Sequence, residues 1–162
     1  MAEINVIKHP NSDEKTYKQG CIFCVIAQKD DPETTILYED EDVVVFQDIK
    51  PAAPHHYLAI PKTHIRDAKQ LNRSHIPLVE HLVRAGKQVL EEQGGNTEDV
   101  RLGFHWPPFN TVYHLHLHVI WPPDRIKCHL REFRVYKPGT AWFKSIDWMM
   151  DRLHAMPDEP VS

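Results

Sequence analysis

Histidines at the alternate positions 114, 116 and 118, in the run Tyr113-His114-Leu115-His116-Leu117-His118-Val119-Ile120-Trp121, are the residues of this chain best placed to do chemistry. The run is apolar, β-branched or aromatic at almost every other position, which predicts a strand. Successive strand side chains point to opposite faces, so all three imidazoles emerge on one side, each about 6.5–7 Å from the next. Leu115, Leu117 and Val119 are left to pack a core. An imidazole nitrogen can attack as a nucleophile, carry a proton near neutral pH or ligate a metal. Two chemistries stay open on the residues alone: a zinc ion chelated from one strand face, or an imidazole nucleophile whose neighbours position phosphate and move protons. A strand whose rings merely satisfy one another is the bland alternative, and strict alternation between apolar residues argues against it.

Other residues are ambiguous when read singly. Cys21-x-x-Cys24 fits a redox pair, two buried apolar residues or half of a zinc site that needs two more ligands. Asp48, ahead of Ile49-Lys50-Pro51, reads on its own as a turn residue.

The elements that must position these groups follow from the hydrophobic pattern. Strands are expected at 35–38, at 43–46 leading to Asp48, at 57–60, at 100–104 and at 113–121. A long helix is expected from Ser74, a plausible N-cap, through Ile76, Val79, Leu82, Val83, Val89 and Leu90 to the stop at Gly94-Gly95. Residues 21–27 suit one or two helical turns, and 141–153 a short amphipathic helix. The expected fold class is α+β: a five-stranded antiparallel sheet, a meander, with one long helix on a face and a short one. Residues 1–18 read as a disordered N-terminal tail, and 19–162 as a single domain with a C-terminal extension from about 123.

Composition bounds what such a domain can do. At 162 residues there is enough chain for one real core. The net charge of −4 provides no global basic field, so no nucleic-acid partner is expected and any phosphate recognition must be local. No run of about 18 apolar residues occurs, so no membrane span is expected, and the polar N-terminus lacks a signal-peptide core. Three cysteines, Cys21, Cys24 and Cys128, do not make a disulfide framework. A reducing compartment is expected, cytoplasmic, with the nucleus also open.

The run from His114 to Ile120 matches the defining His-x-His-x-His pattern of a known family. So do Cys21-Ile22-Phe23-Cys24, the strand Val43-Val44-Val45-Phe46-Gln47-Asp48-Ile49, and His56-Tyr57-Leu58-Ala59-Ile60-Pro61-Lys62-Thr63-His64, in order and spacing. Over roughly residues 21–122 the chain resembles the Hint branch of the histidine-triad nucleotide-binding proteins. The resemblance implies a purine nucleoside phosphoramidase that cleaves the P–N bond of AMP-amines, and acyl-adenylates as well. His116 would attack the α-phosphorus and form a covalent nucleotidyl-histidine that water hydrolyses to AMP. His118 and His56 would contact phosphate oxygens or deliver the proton to the leaving group. Asp48 would grip the ribose hydroxyls, and Val45, Phe46 and Ile49 would form the purine slot. His105 stands where many relatives carry Asn near the phosphate, and Thr111 where a Ser often bonds near the leaving group. The resemblance requires no cofactor for catalysis; some relatives hold a structural zinc with residues matching Cys21, Cys24, His64 and His114, while others manage without it. It further implies a homodimer or higher homo-oligomer whose sheets join. Two other functions remain to be distinguished: deadenylation of nucleic-acid 5′ ends, as in aprataxin-like relatives, and a non-catalytic nucleotide-binding scaffold.

Overall fold

The computed structural model describes residues 6–8, 16–127 and 135–158. His9, Cys128 and His129 lie outside the described residues. Within the segment expected as a disordered tail, β1 (Val6–Lys8) pairs antiparallel with β2 (Thr16–Lys18). Next come α1 (Ile22–Ala27), β3 (Ile36–Glu39), β4 (Val43–Gln47), β5 (His55–Pro61), α2 (Ile76–Glu92), β6 (Arg101–His105), β7 (Leu117–Trp121), β8 (Phe143–Ser145) and α3 (Ile146–Ala155). The main sheet has six strands in the order β3-β4-β5-β7-β6-β8, antiparallel at every pairing.

The α+β class holds, and two details of the expected sheet are corrected. It is not a meander: the chain leaves β5 through α2, lays down β6, and returns to insert β7 between β5 and β6. A sixth strand, β8, occupies the start of the segment expected as wholly helical, and α3 follows it with Ser145 as its N-cap.

Strand alternation divides the core between the two faces. Val43 and Val45, Tyr57 and Ala59, Leu117 and Val119, and Leu102 and Phe104 point toward α2, where they meet Val79, Leu82, Ala85, Val89 and Leu90. Each fully buried Val or Leu among them contributes about 1.5–3 kcal/mol. Gly86 lets the helix lie close, since a Cβ there would stand 2.6 Å from Val119 Cγ2. The helix begins at Ile76 rather than Ser74. Ser74 falls in a preceding 3₁₀ turn that Asn72 caps in a reciprocal box with His75, because Asn72 Oδ1 accepts the Ser74 N–H at 2.9 Å. As expected, α2 stops at the Gly pair, with Gly94 at φ +91°.

On the opposite face, α1 packs Phe23, Ile26 and Ala27 on Val44, Phe46, Leu58 and Ile60. This second layer is small, and beyond it the face carries the histidines together with Ile120, which packs on Ala52, Ala53 and Ile126.

Candidate active site

Alternation along β5 and β7 places His56 and His118 on the face away from α2, level with Leu58 and Ile60. In β6 the same rule delivers His105 and Gly103, and Gly103 pairs with His118. His114 and His116 precede the regular part of β7, which starts at Leu117 and not at Tyr113. They are held by the Leu115 N–H on the Ile65 carbonyl, at 2.7 Å. Their rings continue the row: those of His116 and His118 are 5.0 Å apart, and Phe23 meets the edges of both His114 and His116. Burial is severe, with His56 and His114 fully inaccessible and His118 2% exposed.

Backbone partners decide which nitrogen of each ring carries the proton. The Ala52 N–H donates to His56 Nδ1 at 2.9 Å, so the His56 proton sits on Nε2. That N–H donates to His118 Nδ1 at 2.8 Å, which forces the His118 proton onto its own Nε2. Among the described residues His118 Nε2 is buried with no hydrogen-bond partner, which leaves its N–H an unused donor. His116 is set the opposite way. Its Nδ1–H donates to the His114 carbonyl at 2.6 Å, leaving Nε2 with a free lone pair. The row thus presents one lone pair and one adjacent donor, which suits attack on an electrophile whose oxygens gain charge.

Burial keeps these rings neutral. It pulls His56 down to about 3 and His116 down to about 4. His118 falls well below its ordinary value and His105 is lowered too, in both cases chiefly by burial. Asp48 is pushed the other way, raised by burial against the Lys50 N–H that its carboxylate accepts. Its Oδ2 is 3.4 Å from His56 Nε2, at the β4 flank of the row.

His114 faces a different neighbourhood. Its Nε2–H donates to the Pro61 carbonyl at 2.9 Å, so its Nδ1 is proton-free. That Nδ1 lies 3.5 Å from Cys21 Sγ, 3.4 Å from Cys24 Sγ and 3.2 Å from His64 Nδ1, while Cys24 Sγ is 3.3 Å from His64 Nδ1. All four ligand atoms lie within 4.8 Å of one another. Tetrahedral zinc with bonds of about 2.0–2.3 Å needs edges of roughly 3.3–3.8 Å, so the donor set fits that ion in type and spacing. The sulfurs also accept backbone N–H groups from Lys18 and Cys24, the usual support of a metal thiolate. The hydrogen bond from Cys24 holds the Cys21 thiol down at about 3, and that shared proton with burial raises Cys24.

The structure brings Cys21, Cys24, His64 and His114 into one cluster, and Asp48, His56, His105, His116 and His118 into the row beside it. It does not bring Val45: this side chain is 0% exposed in the α2 layer, on the wrong face to line a site with Phe46. Phe46 is on the site face but packed edge-on against Phe23 at 5.5 Å. Ile49 is 94% exposed beyond the strand end, and Thr111 is exposed on the β6–β7 connection. Sequence reasoning missed Tyr136 and Phe143. The Tyr136 ring stands 5.0–5.2 Å from those of His56, His105 and His118, and Phe143 lies 5.6 Å from His105. Gly103 makes room for Phe143, since a Cβ there would be 2.4 Å from its ring. Trp142 packs on Phe109, and Trp148 on Trp106 with Lys144 and Arg152 over its face.

Comparison with known proteins agrees with this geometry. Residues 20–133 match the family model described as scavenger mRNA decapping enzyme C-term binding. A mouse protein named adenosine 5′-monophosphoramidase HINT3 is 43% identical over 149 residues, covering 88% of this chain and 86% of the relative. An Arabidopsis thaliana protein named bifunctional adenosine 5′-phosphosulfate phosphorylase/adenylylsulfatase HINT4 is 50% identical over 103 residues, 62% of this chain and 68% of that one. Among solved structures, a HIT family hydrolase from Clostridium thermocellum superposes with a TM-score of 0.60 at 38% identity, over 64% of this chain and 91% of its own. The alternating histidines, the sheet that carries them and these matches together establish that the chain belongs to the histidine-triad family.

Proposed function

We propose that this chain hydrolyses the P–N bond of AMP-linked amines through a nucleotidyl-histidine intermediate. The observation that carries the reading is the opposed pair of tautomers, a free lone pair on His116 Nε2 beside a donor on His118 Nε2. His116 Nε2 gives its electron pair to the α-phosphorus, and the P–N pair departs with nitrogen. His118 Nε2–H donates to a phosphoryl oxygen as its charge grows, and His56 keeps His118 in the donating tautomer. Asp48, at the β4 flank, accepts from the ribose hydroxyls, which puts the nucleoside toward Phe46 and the leaving group toward His105. The leaving nitrogen takes a proton from solvent as it departs, and the water that then hydrolyses the nucleotidyl-histidine returns a proton to solvent and gives its hydroxyl to AMP.

The Cys21, Cys24, His64 and His114 cluster would hold a zinc ion in a structural role, joining α1, the end of β5 and the segment ahead of β7. The support is the four-donor spacing and the proton-free His114 Nδ1. His116 attacks without it.

The test is turnover of a fluorogenic AMP-amine by the wild type and by His116→Ala, with mass spectrometry of the quenched enzyme. Wild type turns over and carries a transient adenylyl group; His116→Ala does neither, losing at least about 10³-fold as for other lost nucleophiles. Undiminished hydrolysis by His116→Ala would overturn the assignment. Turnover of a 5′-adenylated DNA end but no AMP-amine would favour the deadenylase reading, and AMP binding without turnover the scaffold.

A further inference from the structure

The hydrogen bonds that fix the His118 tautomer run in sequence, from the Ala52 N–H to His56 Nδ1 and from His56 Nε2–H to His118 Nδ1. One ring lies against that whole path. Tyr136, from the segment ahead of β8, meets the His56 ring at right angles at 5.2 Å, that of His118 at 5.2 Å and that of His105 at 5.0 Å. It packs at the same time against the small cluster of Ala52, Ala53, Ile120 and Ile126. His56 and His118 are 0% and 2% exposed, whereas Tyr136 is half-buried and so stands on their solvent side.

The relay depends on such a cover. It has one direction only while both imidazoles are neutral: a proton taken up by His118 puts an N–H on each of its nitrogens, and His56 Nε2–H then faces another donor. The rings facing His118 are His56 on β5, His105 on β6, His116 ahead of β7, Phe143 on β8 and Tyr136. Asp48, just past β4, is one step removed, at 3.4 Å from His56 Nε2. Apart from Asp48 these groups hold no fixed charge. Burial first, and the neighbouring imidazoles second, hold His118 well below its ordinary value. We infer that Tyr136 is a positioning residue of the reaction, whose ring seals the flank of the histidine row from water and so keeps the His56–His118 hydrogen bond running in one direction. Its effect on turnover rests on the phosphoramidase reading, and its effect on His118 does not.

The experiment follows the ring resonances of His118 by NMR in the free, full-length protein from about pH 8 to 5, and kcat/KM on an AMP-amine over the same range, in wild type, Tyr136→Phe and Tyr136→Ala. Wild type and Tyr136→Phe, which keeps the ring, hold His118 neutral throughout. In Tyr136→Ala water reaches the imidazole, and His118 takes up a proton near the ordinary value of about 6.5. Relative to wild type, kcat/KM of that variant then falls about 10-fold between pH 7.5 and 5.5, the change in the neutral fraction of such a group. Tyr136→Val opens less of the flank and moves the titration in the same direction, should the alanine variant fail to fold. A His118 that stays neutral in the truncated variants, with a loss of rate equal at every pH, makes the ring ordinary packing and overturns the inference. So does a Tyr136→Phe as perturbed as Tyr136→Ala, which places the effect on the hydroxyl. A wild type without turnover, in which Tyr136→Ala still lets His118 titrate, removes the phosphoramidase reading and leaves the seal.

Discussion

Replacing His56 by leucine tests whether the tautomer of His118 is set from outside its own ring. His56 is 0% exposed, receives the Ala52 N–H at 2.9 Å and donates to His118 Nδ1 at 2.8 Å. Leucine fills comparable volume but offers His118 no donor. The neutral His118 ring is then free to place its proton on Nδ1 and turn a lone pair, rather than an N–H, toward the phosphoryl oxygen. Loss of one preorganised donor to a developing oxyanion costs about 10²–10³ in kcat, or roughly 2.7–4 kcal/mol. Stability falls by a further increment of about 1–3 kcal/mol, because the buried Ala52 N–H loses its acceptor. His56→Gln separates the two effects: its amide NH₂ reaches where Nε2–H stood, and it keeps more of the activity than leucine does. The assays are kcat and KM on an AMP-amine, thermal unfolding, and the ¹⁵N shifts of His118, which report its tautomer. A loss in His56→Leu no larger than in His56→Gln, or a His118 tautomer that does not change, would refute the relay.

Three further expectations follow from the same structure. Stability is expected to decline as pH falls from about 6.5 toward 3. His56 sits at about 3 when folded and near its ordinary 6.5 when unfolded, so the unfolded chain binds more protons across that window. At pH 5 this one residue costs about 2 kcal/mol, and the Tm–pH slope between pH 7 and 5 flattens in His56→Leu; an unchanged slope would count against it. Purified protein is expected to contain one zinc per chain, measured by elemental analysis. Cys24→Ser lowers both zinc content and Tm, whereas a metal-free wild type of full stability would dispose of the structural ion. Gly86→Ala should lose about 1–3 kcal/mol in urea unfolding, the usual cost of overpacking, because its Cβ meets Val119 Cγ2; a neutral result would mean that α2 shifts freely on the sheet.

Local periodicity made much of the fold and half of the site legible. The alternate spacing of His114, His116 and His118, and of Val43 to Phe46, needed only a two-residue period to put side chains on faces. Val45 illustrates a rule not followed through, for the alternation that puts Phe46 on the site face must turn Val45 toward α2. The resemblance alone joined Cys21, Cys24, His64 and His114, which are separated by up to 93 residues and meet through topology. The insertion of β7 between β5 and β6 was invisible because it is decided by pairing at a distance, not by any period within a strand. Phe143–Ser145 is too short to show a pattern, and Tyr136 belongs to no motif.

The pairing of β8 with β6 bears on how the molecule meets its own kind. A sheet margin is a row of open donors and acceptors that invites another chain to extend it. Here the margin at β6 is closed by the protein's own residues, with Gly103 opposite Ser145 and His105 opposite Phe143. Among the described residues the outer margins are the short β8 and β3, and β3 shifts its register between Ile36 and Tyr38 and has its Glu39 held by Lys29 and Lys62. An irregular, charged border is a poor template for lateral growth. A second copy that joins this sheet meets β3 or the outer side of the three-residue β8, and only by displacing β8, and with it the Phe143 ring that walls the histidines, could it reach β6 itself.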